Sequence, residues 1–307
     1  MDITNTEKEF LNIYSDEKYK KPSVTVDAVI FRIVDKQSSN YRKLPEKKLQ
    51  VFLLKRNNPP FKNAYALPGT FIDLENELID TVKSCVKNKV GLNDYYIEQL
   101  YTFGDINRDP RTRILSVSYM LLTHDNNKLG NGSWYDIELS SKTVKKTEKK
   151  FGYIVKKDIL LTLKKDLSEQ PNIKSNSETN SDNCDNILKS KINVNIEKIN
   201  LEEIKKVNII NSDIAFDHSK IIFYAIERLK NKLEYTDIIF NLLPKKFTLT
   251  ELKQAYEIIL NEKLLDANFR RKTAKMVIGT KDYATGKGFR SSQLFEHNPL
   301  WTITDID

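Results

Sequence analysis

Cysteine and histidine are scarce in this 307-residue chain, with two of the first and three of the second. Cys85 falls within a helical pattern and Cys184 within a polar stretch, so neither a metal-ligand spacing nor a disulfide framework can be drawn, and both are expected as free thiols. The histidines are too dispersed for a zinc site or a catalytic triad. No apolar run approaches the roughly eighteen residues of a membrane-spanning helix, which excludes a membrane partner of that kind. The opening residues Met1-Asp2-Ile3-Thr4-Asn5-Thr6-Glu7-Lys8 have neither the basic segment nor the apolar core of a secretory signal. A cytoplasmic protein is expected.

Charge is what the chain has in quantity: 30% of residues are charged against 39% hydrophobic, with a formal net charge of +8. A positive excess hints at a polyanionic partner, but lysine-rich compositions reach such values without one, so placement decides. The length suits two domains plus connections. Residues 23–34 and 49–56, rich in β-branched and apolar residues, read as paired strands joined by a polar hairpin loop over 35–48. After Asn57-Asn58-Pro59-Pro60, residues 64–72 read as a turn and short strand. Residues 75–90 read as a helix whose Leu78, Ile79, Val82, Cys85, Val86 and Val90 share one face. Strands at 96–103 and 114–123 follow, completing an α+β sandwich.

From 140 to 212 the composition shifts toward Lys, Asn and Ser. The alternation over 151–165 and 187–196 predicts a two-stranded ribbon with a disordered tip between them, or equally an insertion without a role. From 213 onward the pattern is helical. Asp217 is placed to cap a first helix, Thr248 or Thr250 a second, and Asp266 a third containing Asn268-Phe269-Arg270-Arg271-Lys272. A glycine-punctuated basic hairpin closes the series, and three helices followed by a hairpin is the order of a winged helix-turn-helix.

Between Lys263 and Arg290 stand eight Lys/Arg against two Asp/Glu, whereas 213–307 as a whole has fifteen against thirteen. The positive charge is therefore focused on the third helix and the hairpin. Asn268, Arg271, Lys272 and Lys275 recur at helical spacing on one face, with Phe269, Thr273 and Met276 on another. That combination suits groove readout with flanking phosphate contacts, and a solvated basic face is the plain alternative. A second constellation is Phe103-Gly104-Asp105-Ile106-Asn107-Arg108-Asp109-Pro110-Arg111-Thr112-Arg113. Its guanidinium forks match diphosphate or carboxylate oxygens two at a time, or its aspartates pair with the arginines and only stiffen the loop. Phe61 offers a stacking surface, Tyr65 reads as packing beneath the loop, and His218 reads as a structural residue fixing the helix junction.

Ala66-Leu67-Pro68-Gly69-Thr70-Phe71, followed by a helix ending at Val90-Gly91-Leu92, resembles the Nudix signature. Hydrolases with that signature carry an Arg-Glu and then a Glu-Glu pair on the helix. Aligned on Gly91, this chain has Ser84-Cys85 and Asn88-Lys89 there, Asn76 stands at the first expected acid between Glu75 and Glu77, and Thr70 replaces a glycine. Magnesium requires hard oxygen ligands, so no metal site and no enzyme activity are expected. With the arginine loop, Ser116-Val117-Ser118-Tyr119, Ala215-Phe216-Asp217-His218, Leu243-Pro244, Phe247-Thr248, Glu251-Leu252 and Asn268-Phe269-Arg270-Arg271-Lys272, the chain resembles the Nudix-related transcriptional regulators. That group contains the regulator of NAD metabolism and its sugar-responsive relatives.

The resemblance implies a degenerate Nudix-like α/β/α sandwich over 1–139, the segment 140–212, and a winged-helix DNA-binding domain over 213–307. It implies a homodimeric repressor on palindromic double-stranded DNA, answering to ADP-ribose or a related small metabolite and requiring no cofactor. A pentose sensor of the same architecture and an atypical Nudix pyrophosphohydrolase are the alternatives. Effector contacts are expected at Arg56, Phe61, Arg108, Asp109, Arg111 and Arg113. DNA contacts are expected at Thr248, Thr250, Asn268, Arg270, Arg271, Lys272, Lys275, Lys287 and Arg290.

Overall fold

The structure, a computed structural model, describes residues 5–36, 45–125, 130–167, 186–284 and 291–302. After an exposed helix α1 (Asn5–Ile13), the chain lays down β1 (Ser23–Lys36), β2 (Glu46–Lys55), β3 (Tyr65–Ala66), β4 (Gly69–Phe71), α2 (Leu78–Lys89), β5 (Tyr96–Phe103) and β6 (Ile114–Leu122). It continues through β7 (Gly132–Lys149), β8 (Gly152–Lys165), β9 (Ile187–Ile199) and β10 (Glu202–Ser212). Most of these strands form one sheet in the order β10-β9-β8-β7-β2-β1-β6-β5, with β3 on β2 and β4 on β1.

β1 lies at the centre of the molecule, antiparallel to β2 and parallel to β6. Its near-continuous apolar run follows from burial on both faces. Val26, Ala28 and Ile30 meet Val82, Val86 and Val90 of α2 on one side. Val29, Phe31 and Ile33 face the opposite side, toward α3 (His218–Lys232) and the C-terminal helices. Val82, Val86 and Val90 are each fully buried, which contributes about 1.5–3 kcal/mol apiece. Leu78, at the first turn of α2, is instead exposed. The expected α/β/α sandwich is present.

Two boundaries differ from the sequence reading. A division at 139/140 would cut β7 in half, and the predicted two-stranded ribbon is part of a four-stranded antiparallel extension, β7 to β10, continuous with the sheet. β8 and β9 do pair as expected. The extension alternates because one face is covered: Ile159, Ile192, Val194 and Val207 pack on Phe223 of α3, while β7 beyond Ser140 is largely exposed. The predicted disordered tip and Cys184 lie outside the described residues.

The second difference is α3. It was expected to be the first helix of the winged helix, but its polar edge is pinned to the sheet. Lys232 and Arg228 pair with Glu98 of β5, Arg228 also donates to Leu100 O at 3.0 Å, and Lys220 meets Asp105 at 2.6 Å. The first turn of the winged helix is a 3-10 segment, Ile238–Leu242, followed by α4 (Leu249–Leu260), α5 (Asp266–Thr273) and the hairpin β11 (Val277–Ala284) and β12 (Ser292–His297). Phe247 joins the hairpin through paired main-chain bonds with Phe295, 3.0 and 2.8 Å. Apolar residues of α3, α4 and α5 share one core with the sheet.

Candidate effector cleft and nucleic-acid interface

A cleft of about 220 Å³ opens beside β1 and β4 and is walled by the arginine loop, the end of α2 and the start of α3. Asp27 lies at its base, 6% exposed. Ser116 Oγ donates to Asp27 Oδ2 at 2.5 Å, and the Arg108 guanidinium is 3.6 Å from that oxygen. Gly69 is required here because a β-carbon would come 2.1 Å from Asp27 Oδ1. Arg108 is itself buried and forks onto Asp217, Nε to Oδ2 at 3.0 Å and Nη2 to Oδ1 at 2.7 Å. Asp217 does hold the N-cap position of α3, yet its side chain makes no capping bond. Its carboxylate is engaged by Arg108 instead.

His218 completes this buried network. Its Nδ1 accepts the Leu67 N–H at 2.9 Å, and its Nε2 lies 3.7 Å from Asp27 Oδ1. Burial pushes its pKa down, against the opposing pull of Asp27 and Asp217. The neutral imidazole therefore ties the Leu67-Pro68-Gly69 turn to the start of α3, alongside the Ala215 N–H bond to Tyr65 O at 2.8 Å. The structural reading of His218 agrees with this geometry.

Around the rim, Arg111 is held by Asp109 through a two-point ion pair, Nε to Oδ1 at 3.0 Å and Nη2 to Oδ2 at 2.8 Å. Burial opposes ionisation of Asp109, but the Arg111 bonds outweigh it and hold its pKa below the usual range. Arg56 donates to Pro60 O at 2.9 Å and lies over the Phe216 ring at 4.7 Å. Phe216 also meets Phe61 edge-on, centroids 4.9 Å apart. Both phenylalanines have left-handed backbones, φ 57° and 59°, a costly choice for a bulky residue that marks a position held by its surroundings.

Where a Nudix hydrolase would carry its carboxylates, α2 presents Lys89, whose ammonium donates to Gly69 O at 2.5 Å and lines the cleft. Glu75 and Glu77 are exposed on the loop before α2 and do not line it. Among the described residues no three His, Cys, Asp or Glu side chains cluster as a metal site would require.

At the other end of the molecule, α4 begins with a full capping box. Glu251 N–H donates to Thr248 Oγ1 at 3.1 Å, and the Thr248 N–H to Glu251 Oε2 at 2.7 Å. Thr250 is exposed in the first turn. On α5, Phe269 and Thr273 are buried, as is Met276 just beyond it, while Asn268, Arg270 and Arg271 are exposed. Leu265, not Asp266, is the N-cap of α5; Asp266 pairs with Lys253 at 2.5 Å.

Residues 239–296 match the family model of the NrtR DNA-binding winged helix domain. Over 294 residues, 95% of this chain and 88% of the relative, the chain is 29% identical to the ADPR responsive transcriptional repressor NtrR of Acinetobacter baylyi. Over nearly its whole length the chain is similar to a Nudix-related transcriptional regulator, and its C-terminal part matches that group's winged helix. Two solved structures share the fold. A MutT/nudix family protein from Enterococcus faecalis superposes with a TM-score of 0.59 at 22% identity, covering 96% of this chain and 94% of that one. Shewanella oneidensis NrtR, in complex with a 27mer DNA, gives 0.54 at 24% identity, covering 90% and 94%.

In this chain the expected effector residues are only partly gathered. Arg56, Arg108, Asp109 and Arg111 line the cleft, whereas Phe61 stands behind Phe216 and Arg113 is exposed outside the lining. The basic face of α5 is likewise revised. Lys275 lies past the end of the helix, in the turn before β11. Lys272 donates its ammonium to Leu233 O at 3.0 Å and lies 5.5 Å from the Tyr256 ring centroid, and burial pushes its pKa down. Lys272 is exposed as a residue, and this bond, which ties α5 to the end of α3, takes one of the three ammonium donors. Lys287 and Arg290 lie outside the described residues. Asp27, Phe216 and Lys89 were not singled out as binding residues. The available signal for Asp27 was a lone carboxylate inside an apolar strand, which a buried strand tolerates only with partners.

Proposed function

We propose that this regulator is a repressor that holds palindromic operator DNA as a homodimer and is released by ADP-ribose or a closely related NAD-derived metabolite, without turning it over. The full-length likeness to an ADPR responsive repressor is the observation that carries this reading. The cleft supports it, because guanidinium and ammonium groups on a small, polar-lined hollow suit phosphate oxygens. The basic, outward-facing Arg270, Arg271 and Asn268 of α5 support the DNA half. The box supports a sensor that leaves its ligand intact, since the two carboxylates at the cleft, Asp27 and Asp109, are already engaged by Ser116, Arg108 and Arg111.

The test is a gel-shift titration on the operator upstream of the controlled genes, with ADP-ribose, NAD, arabinose and ribose as competitors. Release by ADP-ribose alone is the expected result. Release by a pentose alone would move the assignment to the sugar-responsive reading. Chromatography of ADP-ribose incubated with the protein and magnesium should show no AMP, and a product that disappears on changing Glu75 or Glu77 would establish the hydrolase instead.

A further inference from the structure

Four cations line the effector cleft: Arg56, Lys89, Arg108 and Arg111. Two of them are neutralised by carboxylates, Arg108 by the buried Asp217 and Arg111 by Asp109, each through two bonds. The other two rest on neutral main-chain oxygens. Arg56 donates to Pro60 O and Asn58 O, and Lys89 to Gly69 O. A charge-assisted bond to an anion is shorter and roughly twice as strong as one to a neutral acceptor, so these two groups gain most from an anionic guest. Burial first, and then the nearby charge of Arg111, push the Arg56 pKa down, with Asp109 and Asp27 opposing in part.

A divalent cation does not fit the same corner. Ser84, Cys85, Asn88 and Lys89 supply no carboxylate. Cys85 is buried, and that burial pushes its thiol up, away from the thiolate form a metal needs. Lys89 brings a fixed positive charge to the end of α2, where an added metal ion would be repelled at short range.

We propose that Lys89 takes the place of the metal ion, so that the cleft binds a dianionic diphosphate diester without any divalent cation, with Lys89 and Arg56 as its two counter-charges. This rests on the effector reading above and narrows it. A neutral pentose leaves both cations on their carbonyl oxygens, whereas a diphosphate diester carries one negative charge per phosphate and matches both.

Calorimetric titration of the full-length protein tests it, using ADP-ribose in EDTA, ADP-ribose in excess magnesium, and arabinose. ADP-ribose is expected to bind equally, within about twofold, with and without magnesium, and arabinose not at all. Lys89→Met should weaken ADP-ribose on the order of tenfold, the size of one lost charge-assisted bond, and Lys89→Arg should restore most of that loss. Lys89 is exposed, so an unchanged melting temperature is expected for both variants. Magnesium-dependent binding, or Lys89→Met binding as the wild type does, overturns the proposal while leaving ADP-ribose as effector. No binding of ADP-ribose to the wild type in either buffer overturns the effector reading and this proposal together.

Discussion

Replacing Arg108 by alanine separates two roles that the arginine loop allows. The side chains of Arg108 and Asp217 are 3% and 8% exposed, their two bonds are 3.0 and 2.7 Å long, and Asp27 lies 3.6 Å from the same guanidinium. Truncation leaves two carboxylates in a poorly solvated site without their shared counter-ion, and breaking a buried pair from one side costs about 3–5 kcal/mol. That is a large share of the roughly 5–15 kcal/mol by which a folded protein is stable. With a urea m-value of about 2–3 kcal/mol/M, the midpoint should fall by ~1–2.5 M. The fluorescence of Trp134, 1% exposed, reports the transition. The double change Arg108→Met with Asp217→Leu removes both charges and should recover most of the loss, because a desolvated pair is roughly balanced by apolar packing. If Arg108→Ala instead costs under about 1 kcal/mol while effector affinity collapses, the guanidinium serves the ligand and the structural argument is refuted.

Thr248→Ala removes the capping box of α4 and should cost about 1 kcal/mol, seen as a lower melting temperature that Thr248→Ser largely restores; an unchanged transition would show that the cap contributes nothing. In gel shifts over a range of salt, Arg271→Ala should weaken operator binding and lower the slope of log K against log salt by about one. Lys272→Met should lower that slope by less than Arg271→Ala does, since one of its three ammonium donors is held by Leu233 O; an equal drop would place Lys272 on the DNA as fully as Arg271. For His218, the folded protein binds a proton less readily than the unfolded chain, whose imidazole titrates near the ordinary 6.5. The unfolded state therefore holds more protons below that pH, and stability falls as the pH drops through it. His218→Gln keeps an acceptor for the Leu67 N–H, and its unfolding midpoint should depend less steeply on pH between about 7 and 5.5. Equal slopes for the two proteins would remove His218 from the account.

Much of the architecture is legible in one dimension because it rests on local periodicity. The double-sided burial of β1 shows as a near-continuous apolar run broken by Asp27 and Arg32, the α2 face as a helical repeat, and β5 begins and ends where its strand-like run places it. α3 is also visible as an amphipathic helix. What its apolar face packs against is not, since a helix reads the same whether it covers a sheet or starts a winged helix. The tie to Glu98, 134 residues from Lys232 along the chain, made that choice.

The sequence alone determined which residues stand where the Nudix resemblance expects carboxylates late in α2: Ser84, Cys85, Asn88 and Lys89, none of them an acid. It also determined that positive charge gathers around α5. Only the tertiary structure decided which charges remain available. It paired Arg108 with Asp217 and Arg111 with Asp109, tied Lys272 by one bond to Leu233 O, and left Arg56 and Lys89 on neutral oxygens. The physical reason is that a charge count is additive along a chain, whereas neutralisation depends on which groups come within a few ångströms of one another after folding.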